Sequence, residues 1–248
     1  MAEEIATANV EKILADVPVK ELLLLCIPIS IIFAVSGMDF IGWFIYLATR
    51  ASNEEVYTRG ILNVMLLGFL LTIVSLAVIP IVVNKVRWKK PLSYFGSQKG
   101  EYKLGLILLG AFLLATPLFY FSSKEPNLIN TYPLTKDVLG RWSFFALYEM
   151  SYILFYYIPY EFYFRGILQL GLSKTWKKWQ SILFVTALTT LLHLTKPWTE
   201  ILAAFVFGLV FGFIAEKTKS WYYVCAIHFT AGVLTDTFCS LAFLGVIS

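Results

Sequence analysis

Two charged residues four positions apart, Glu161 and Arg165, stand in the run Pro159-Tyr160-Glu161-Phe162-Tyr163-Phe164-Arg165-Gly166, which is otherwise aromatic and aliphatic. At i and i+4 on a helix they lie about 40° apart on one face, where they can pair. A charge at the centre of a membrane helix costs about 2.5 to 3.5 kcal/mol on insertion scales, so such a pair marks either a site or a structural ion pair. The chain has two histidines, His193 and His228, and both fall in apolar segments. A neutral imidazole binds metal or takes a proton from water near neutral pH. One carboxylate and two imidazoles on three apolar segments point to a functional site rather than to packing alone. The same three, Glu161, His193 and His228, match a three-ligand catalytic zinc site with an open position, and in that case Glu161 is not also a free base.

Other acids stand close by in sequence. Asp236 lies two turns beyond His228, and Glu200 opens the segment after His193. Either is able to orient a histidine from behind. The plainer readings are that Glu200 belongs to a helix start and that Asp236 faces a water-filled end. Glu149 is a further acid within an apolar stretch. Tyr148, Tyr152, Tyr156 and Tyr157 are read as groove-lining, interfacial or core residues, with no catalytic role. Gly208-x-x-x-Gly212 permits close helix approach. Cys26, Cys225 and Cys239 follow no metal or disulfide spacing and read as free buried thiols.

The elements that must position these groups are membrane helices. Of 248 residues, 58% are hydrophobic and only 15% charged, and the mean hydropathy is +0.73. That composition predicts an all-α, polytopic membrane helical bundle. The net charge of +4 is scattered, without the basic stripe of a nucleic-acid binder. Apolar runs from Leu22 to Ala48 (interrupted at Ser36-Gly37-Met38-Asp39), Gly60 to Asn84, Leu104 to Phe121, Trp142 to Leu172, Trp179 to Leu194, Trp198 to Ala215 and Trp221 to Ile247 predict seven or eight transmembrane helices. The run from Trp142 is too long for one simple span, and Pro159 is expected to kink it just before Glu161. With the N-terminus inside, thirteen of the twenty Lys and Arg residues fall in inner loops and six in outer ones, which is the inside-positive bias. Leu92 to Phe95 reads as an interfacial piece. Residues 1–20, acidic before the first apolar run, form a cytoplasmic tail or an interfacial helix; residues 21–141 hold the N-terminal membrane helices, and residues 142–248 the part that carries the chemistry.

Taken together, Pro159 to Leu168, Leu191-Leu192-His193-Leu194, Phe207-Gly208-Leu209-Val210-Phe211-Gly212 and Ala226-Ile227-His228 resemble, in order and spacing, the CPBP family of CAAX proteases and bacteriocin-processing enzymes. The resemblance runs from Trp142 to Leu244. It implies a membrane-helical intramembrane endopeptidase in which a glutamate activates water and histidines position that water or a metal, zinc being the fitting ion. It further implies a peptide or membrane-protein substrate met in the lipid, and a place in the plasma membrane of a bacterium. The family's first motif is Glu-Glu-x-x-x-Arg. Here the first glutamate position is Tyr160, and a phenol is a poor base at neutral pH. The family's third motif is His-x-x-x-Asn, and four residues after His228 stands Gly232, which brings no side-chain donor to an oxyanion. Two functions therefore follow from the sequence. One is a CAAX protease-like, metal-dependent endopeptidase using Glu161, His193 and His228 with Arg165, Glu200 and Asp236 in support. The other is a catalytically inactive relative acting as a membrane scaffold or a bacteriocin-immunity or binding protein.

Overall fold

Apolar side chains run almost unbroken along each predicted segment, so helices, which satisfy their own backbone groups, are the structure that lipid allows. The computed structural model describes residues 16–35, 66–194, 196 and 198–247, and among these there are helices and turns but no strand. The helices are α1 (Val19–Val35), α2 (Leu66–Trp88), α3 (Tyr102–Ser122), the short α4 (Pro126–Thr131), α5 (Trp142–Tyr152 continuing through Ile153–Tyr157 and Ile158–Glu161 to Phe162–Leu170), α6 (Lys178–Leu191), α7 (Trp198–Thr218) and α8 (Tyr222–Phe243). Four of them, α2, α3, α7 and α8, are long and apolar enough to cross a membrane. The helix α6, read as a span from Trp179 to Leu194, has 14 residues, short of the ~20 that cross a bilayer. The expected helix over the first residues, the interruption at Ser36 to Asp39 and the start of the second span at Gly60 lie outside the described residues.

The central helix is α5. It contacts α2, α6, α7 and α8, and every residue from Pro159 to Leu172 is buried. The helix α1 lies against it, tied by the Tyr163 hydroxyl donating to the Cys26 carbonyl at 2.6 Å and lying 3.2 Å from Ser30 Oγ. At one end of this pair Glu21 accepts from Arg87 Nε at 2.8 Å and Trp88 Nε1 at 3.0 Å, fixing α1 to the end of α2. Local chemistry sets other boundaries. Glu125 accepts from the amides of Asn127 and Leu128 while Pro126 fills the first position of α4, a combination favoured at helix starts.

Two expectations change in form. The irregularity around Pro159 is a pair of π-helical stretches, Ile153–Tyr157 and Phe162–Leu170, in which amides bond five residues back: Ile158 to Ile153, and Gly171 to Gly166. Widened turns accommodate a residue with no amide hydrogen without breaking the helix. Leu92–Phe95, read as an interfacial piece, is part buried and part exposed, with Leu92 open and Phe95 covered. It forms a short turn whose Phe95 is fully buried in the main core beside Trp88 and Ile167, because the apolar ring finds cover under α5.

The glycine pair works as spaced. A Cβ on Gly208 would come within 2.7 Å of Thr186, and one on Gly212 within 2.8 Å of Ile182 and 3.1 Å of Gln169 Oε1, so bare backbone is what lets α7 lie against α6 and α5. On the outside, large apolar side chains such as Leu106, Ile107 and Leu114 on α3 are exposed, the surface expected of an integral membrane protein. The three cysteines are free and buried.

Candidate active site

A cavity of about 460 Å³ opens between α5, α7 and α8 and the segment joining α3 to α4, and Glu161, Arg165, His193, Glu200, His228 and Asp236 all line it. The fold thus brings these six residues to one cavity. Glu161 and Arg165 come from the buried half of α5, His228 from the second turn of α8, and Glu200 from the first turn of α7. His193 is not within a helix: it sits in the turn just past the end of α6, its amide bonded to the Thr190 carbonyl at 3.0 Å.

The closest pair in the site is Glu161 Oε1 and His228 Nδ1, 2.6 Å apart, with the carboxylate wholly buried and the imidazole partly open. Since the carboxylate can only accept, Nδ1 carries the proton, and in the neutral ring the lone pair is on Nε2. His193 repeats the arrangement with a different partner. Its Nδ1 donates to the Thr189 carbonyl at 2.7 Å, so it too keeps its lone pair on Nε2. The ring of His228 is held by aromatic neighbours, with centroids at 4.8 Å for Tyr157, 5.3 Å for Phe211 and 5.7 Å for Tyr160.

Arg165 is 2% exposed and lies with its Nε 3.5 Å from Glu161 Oε2. This is a Coulombic contact rather than a hydrogen bond, for neither Nε nor Oε2 has a hydrogen-bond partner. The guanidinium is held by Gln169, whose Oε1 accepts from Arg165 Nη1 at 3.0 Å and whose Nε2 donates to the Gly212 carbonyl at 2.8 Å. One polar line therefore runs from His228 through Glu161, Arg165 and Gln169 to the backbone of α7. Gln169 was legible as the next member of the i, i+4 series after 161 and 165, a third polar residue on one face of an apolar helix.

The other two acids are engaged elsewhere. Glu200 Oε1 accepts from the Tyr132 hydroxyl at 2.8 Å. Tyr132, outside the long helices, has its phenol pushed well above the usual range by burial and then by the Glu200 carboxylate, which keeps it a donor. Asp236 lies beside Glu149, and both are buried with an oxygen lacking a hydrogen-bond partner. Among the described residues neither Glu200 nor Asp236 hydrogen-bonds a histidine, so the orienting role falls to Glu161 and to the Thr189 carbonyl. Tyr160 is packed among aromatic rings at the edge of the cavity. Its ring is stacked on Tyr156 at 5.6 Å and packed on Phe164 at 4.5 Å.

The zinc set Glu161, His193 and His228 does not fit this geometry. Glu161 uses Oε1 for His228 and turns Oε2 to Arg165, which leaves two imidazole nitrogens where a catalytic zinc takes three protein ligands. Among the described residues no three His, Cys, Asp or Glu side chains are grouped to hold one ion.

Fold and site together define an all-helical membrane protein with a buried carboxylate–imidazole pair on the wall of an internal cavity. Residues 142–234 match the family model described as type II CAAX prenyl endopeptidase Rce1-like, a CPBP-family model. The match spans Glu161, His193 and His228. No curated protein and no solved structure matches the chain.

Proposed function

We propose that the protein is an intramembrane endopeptidase of the CAAX-protease type, hydrolysing a peptide bond presented to the cavity from the membrane. The observation that supports it most is the 2.6 Å contact of the buried Glu161 carboxylate with His228 Nδ1 on the wall of an open cavity. A carboxylate behind Nδ1 fixes the tautomer and stabilises the imidazolium, which turns Nε2 into a general base.

In the reaction, His228 Nε2 takes a proton from water as the water oxygen bonds to the peptide carbonyl carbon and the carbonyl electron pair moves to its oxygen. Glu161 offsets the charge on the ring. Collapse of the tetrahedral intermediate breaks the C–N bond, and the proton on Nε2 passes to the departing amine. His193 offers its own Nε2 as a second acceptor that holds the water. This divides the labour differently from the sequence reading, which had Glu161 activate water directly; here Glu161 is the positioning residue and His228 the base, because the carboxylate is sealed and the imidazole is not. No step runs through a metal ion.

Residues 142–248 are read as the catalytic helical core and residues 21–141 as flanking membrane helices, in a frame of seven or eight membrane helices in a bacterial plasma membrane. The substrate is a membrane-held peptide or protein. The test is cleavage in proteoliposomes of a panel of lipid-anchored fluorogenic peptides that includes one ending in a farnesylated Cys-aliphatic-aliphatic-Ser. Wild-type protein is expected to cleave a member of the panel, and His228→Gln to cleave none. A folded wild-type protein that cleaves nothing, with or without added zinc, would leave the inactive scaffold or immunity protein as the reading, with Tyr160 and Gly232 as its cause.

A further inference from the structure

We infer that Tyr157 is the oxyanion donor of this site, a catalytic residue contributed by the phenol in place of any side chain at position 232. The inference rests on the endopeptidase reading above. When water adds to a peptide carbonyl, the carbonyl oxygen takes a full negative charge, and in a cavity of low dielectric that charge needs a preorganised donor. The candidate cation is already committed: Arg165 is buried, bonded to Gln169 and turned to Glu161.

Tyr157 is set differently. It is one turn before Glu161 on α5 and lines the cavity. Its ring meets the His228 imidazole edge-on at 4.8 Å. Its hydroxyl rests over Gly232, one turn after His228 on α8: a Cβ built there would overlap Oη and come within 2.9 Å of Cζ. Only a residue without a side chain at 232 leaves room for the phenol. Among the described residues Tyr157 Oη makes no hydrogen bond, so its proton is free for a ligand in the cavity. Tyr160, the other ring against His228, is wedged among Tyr156, Phe164 and Phe33. The phenol O–H polarises the carbonyl and donates to the oxyanion while His228 takes the proton from water. It keeps its own proton throughout, so no bond to Tyr157 forms or breaks.

The experiment uses full-length protein in proteoliposomes and the best-cleaved peptide of the panel. Tyr157→Phe should lower kcat by about 10²- to 10³-fold, the usual cost of one oxyanion donor, with KM changed by less than about threefold. Gly232→Ala, which pushes the phenol aside, should give a similar loss, and the double variant should lose no more than either single change, as groups acting as one unit do. A peptide phosphinate that mimics the tetrahedral oxyanion should lose affinity for Tyr157→Phe by a factor similar to the fall in kcat, which a mere packing role would not produce. If Tyr157→Phe cleaves within about threefold of wild type while His228→Gln is dead, Tyr157 is packing and the endopeptidase reading stands alone. If wild type cleaves nothing, both fall together.

Discussion

Glu161 on α5 and His228 on α8 are 67 residues apart in sequence and 2.6 Å apart in space. Neither side chain is stable alone in an apolar bundle, and each supplies what the other lacks: the imidazole N–H partners a buried carboxylate oxygen, and the carboxylate fixes the ring. Glu161→Gln keeps an oxygen able to accept from Nδ1 but removes the charge that stabilises the imidazolium. We expect folded protein to be recovered, with kcat down at least about 10²-fold, within the range general acid–base catalysis supplies. Turnover of the cleaved peptide, set beside size-exclusion profiles in detergent, checks this.

Arg165 behaves differently because its role is structural. Arg165→Ala strips the carboxylate of its buried counter-charge and breaks the link through Gln169 to the Gly212 carbonyl. Removing one partner of a buried ion pair costs about 3 to 5 kcal/mol. The expected outcome is a large fall in thermal unfolding temperature and in folded yield, read by tryptophan fluorescence. Equal stability of variant and wild type would show that the contact contributes little.

The two histidines should separate chemistry from packing. His193→Gln and His228→Gln each replace a ring held by one hydrogen bond, so stability is expected to change by about 1 kcal/mol. Cleavage is expected to vanish in each, and the double variant to be no worse than the singles. Additive partial losses would mean that the two imidazoles act independently.

Gly212 is the tightest control on the geometry behind the site. A valine there meets Ile182 and the Gln169 carbonyl oxygen that holds Arg165. Gly212→Val should destabilise by about 1 to 3 kcal/mol, the ordinary cost of overpacking. Its activity per folded molecule should fall as well, because Gln169 must move. Activity unchanged in the folded fraction would separate the Arg165–Gln169 line from catalysis.

Metal removal tests the ligand set directly. With Glu161 engaged by His228, only two imidazole nitrogens remain, so incubation with a membrane-permeant chelator followed by dialysis is expected to leave cleavage unchanged. Loss of activity restored by zinc alone would return an ion to His193 and His228.

Much of this protein is decided by the sequence. Long apolar runs force helices in lipid, so the all-helical membrane class follows from hydropathy and length alone. The i, i+4 spacing of Glu161 and Arg165 puts both on one face whatever the rest of the chain does, and Gly208 with Gly212 marks a close helix contact. Scarcity does the rest: with only two histidines, both in apolar segments, the candidates for chemistry were few. Roles were not legible, because a role depends on which partner arrives from another helix. The sequence offers Glu161 equally as base, ligand or ion-pair partner. Only the packing of α8 on α5 turns it toward His228 and leaves Nε2 of that ring as the open lone pair. Asp236, two turns from His228 in sequence, lies instead beside Glu149. The absence of a side chain at Gly232 reads in the sequence as a lost function. In three dimensions it is the space that the Tyr157 hydroxyl occupies, a relationship between two helices that no spacing along one chain encodes.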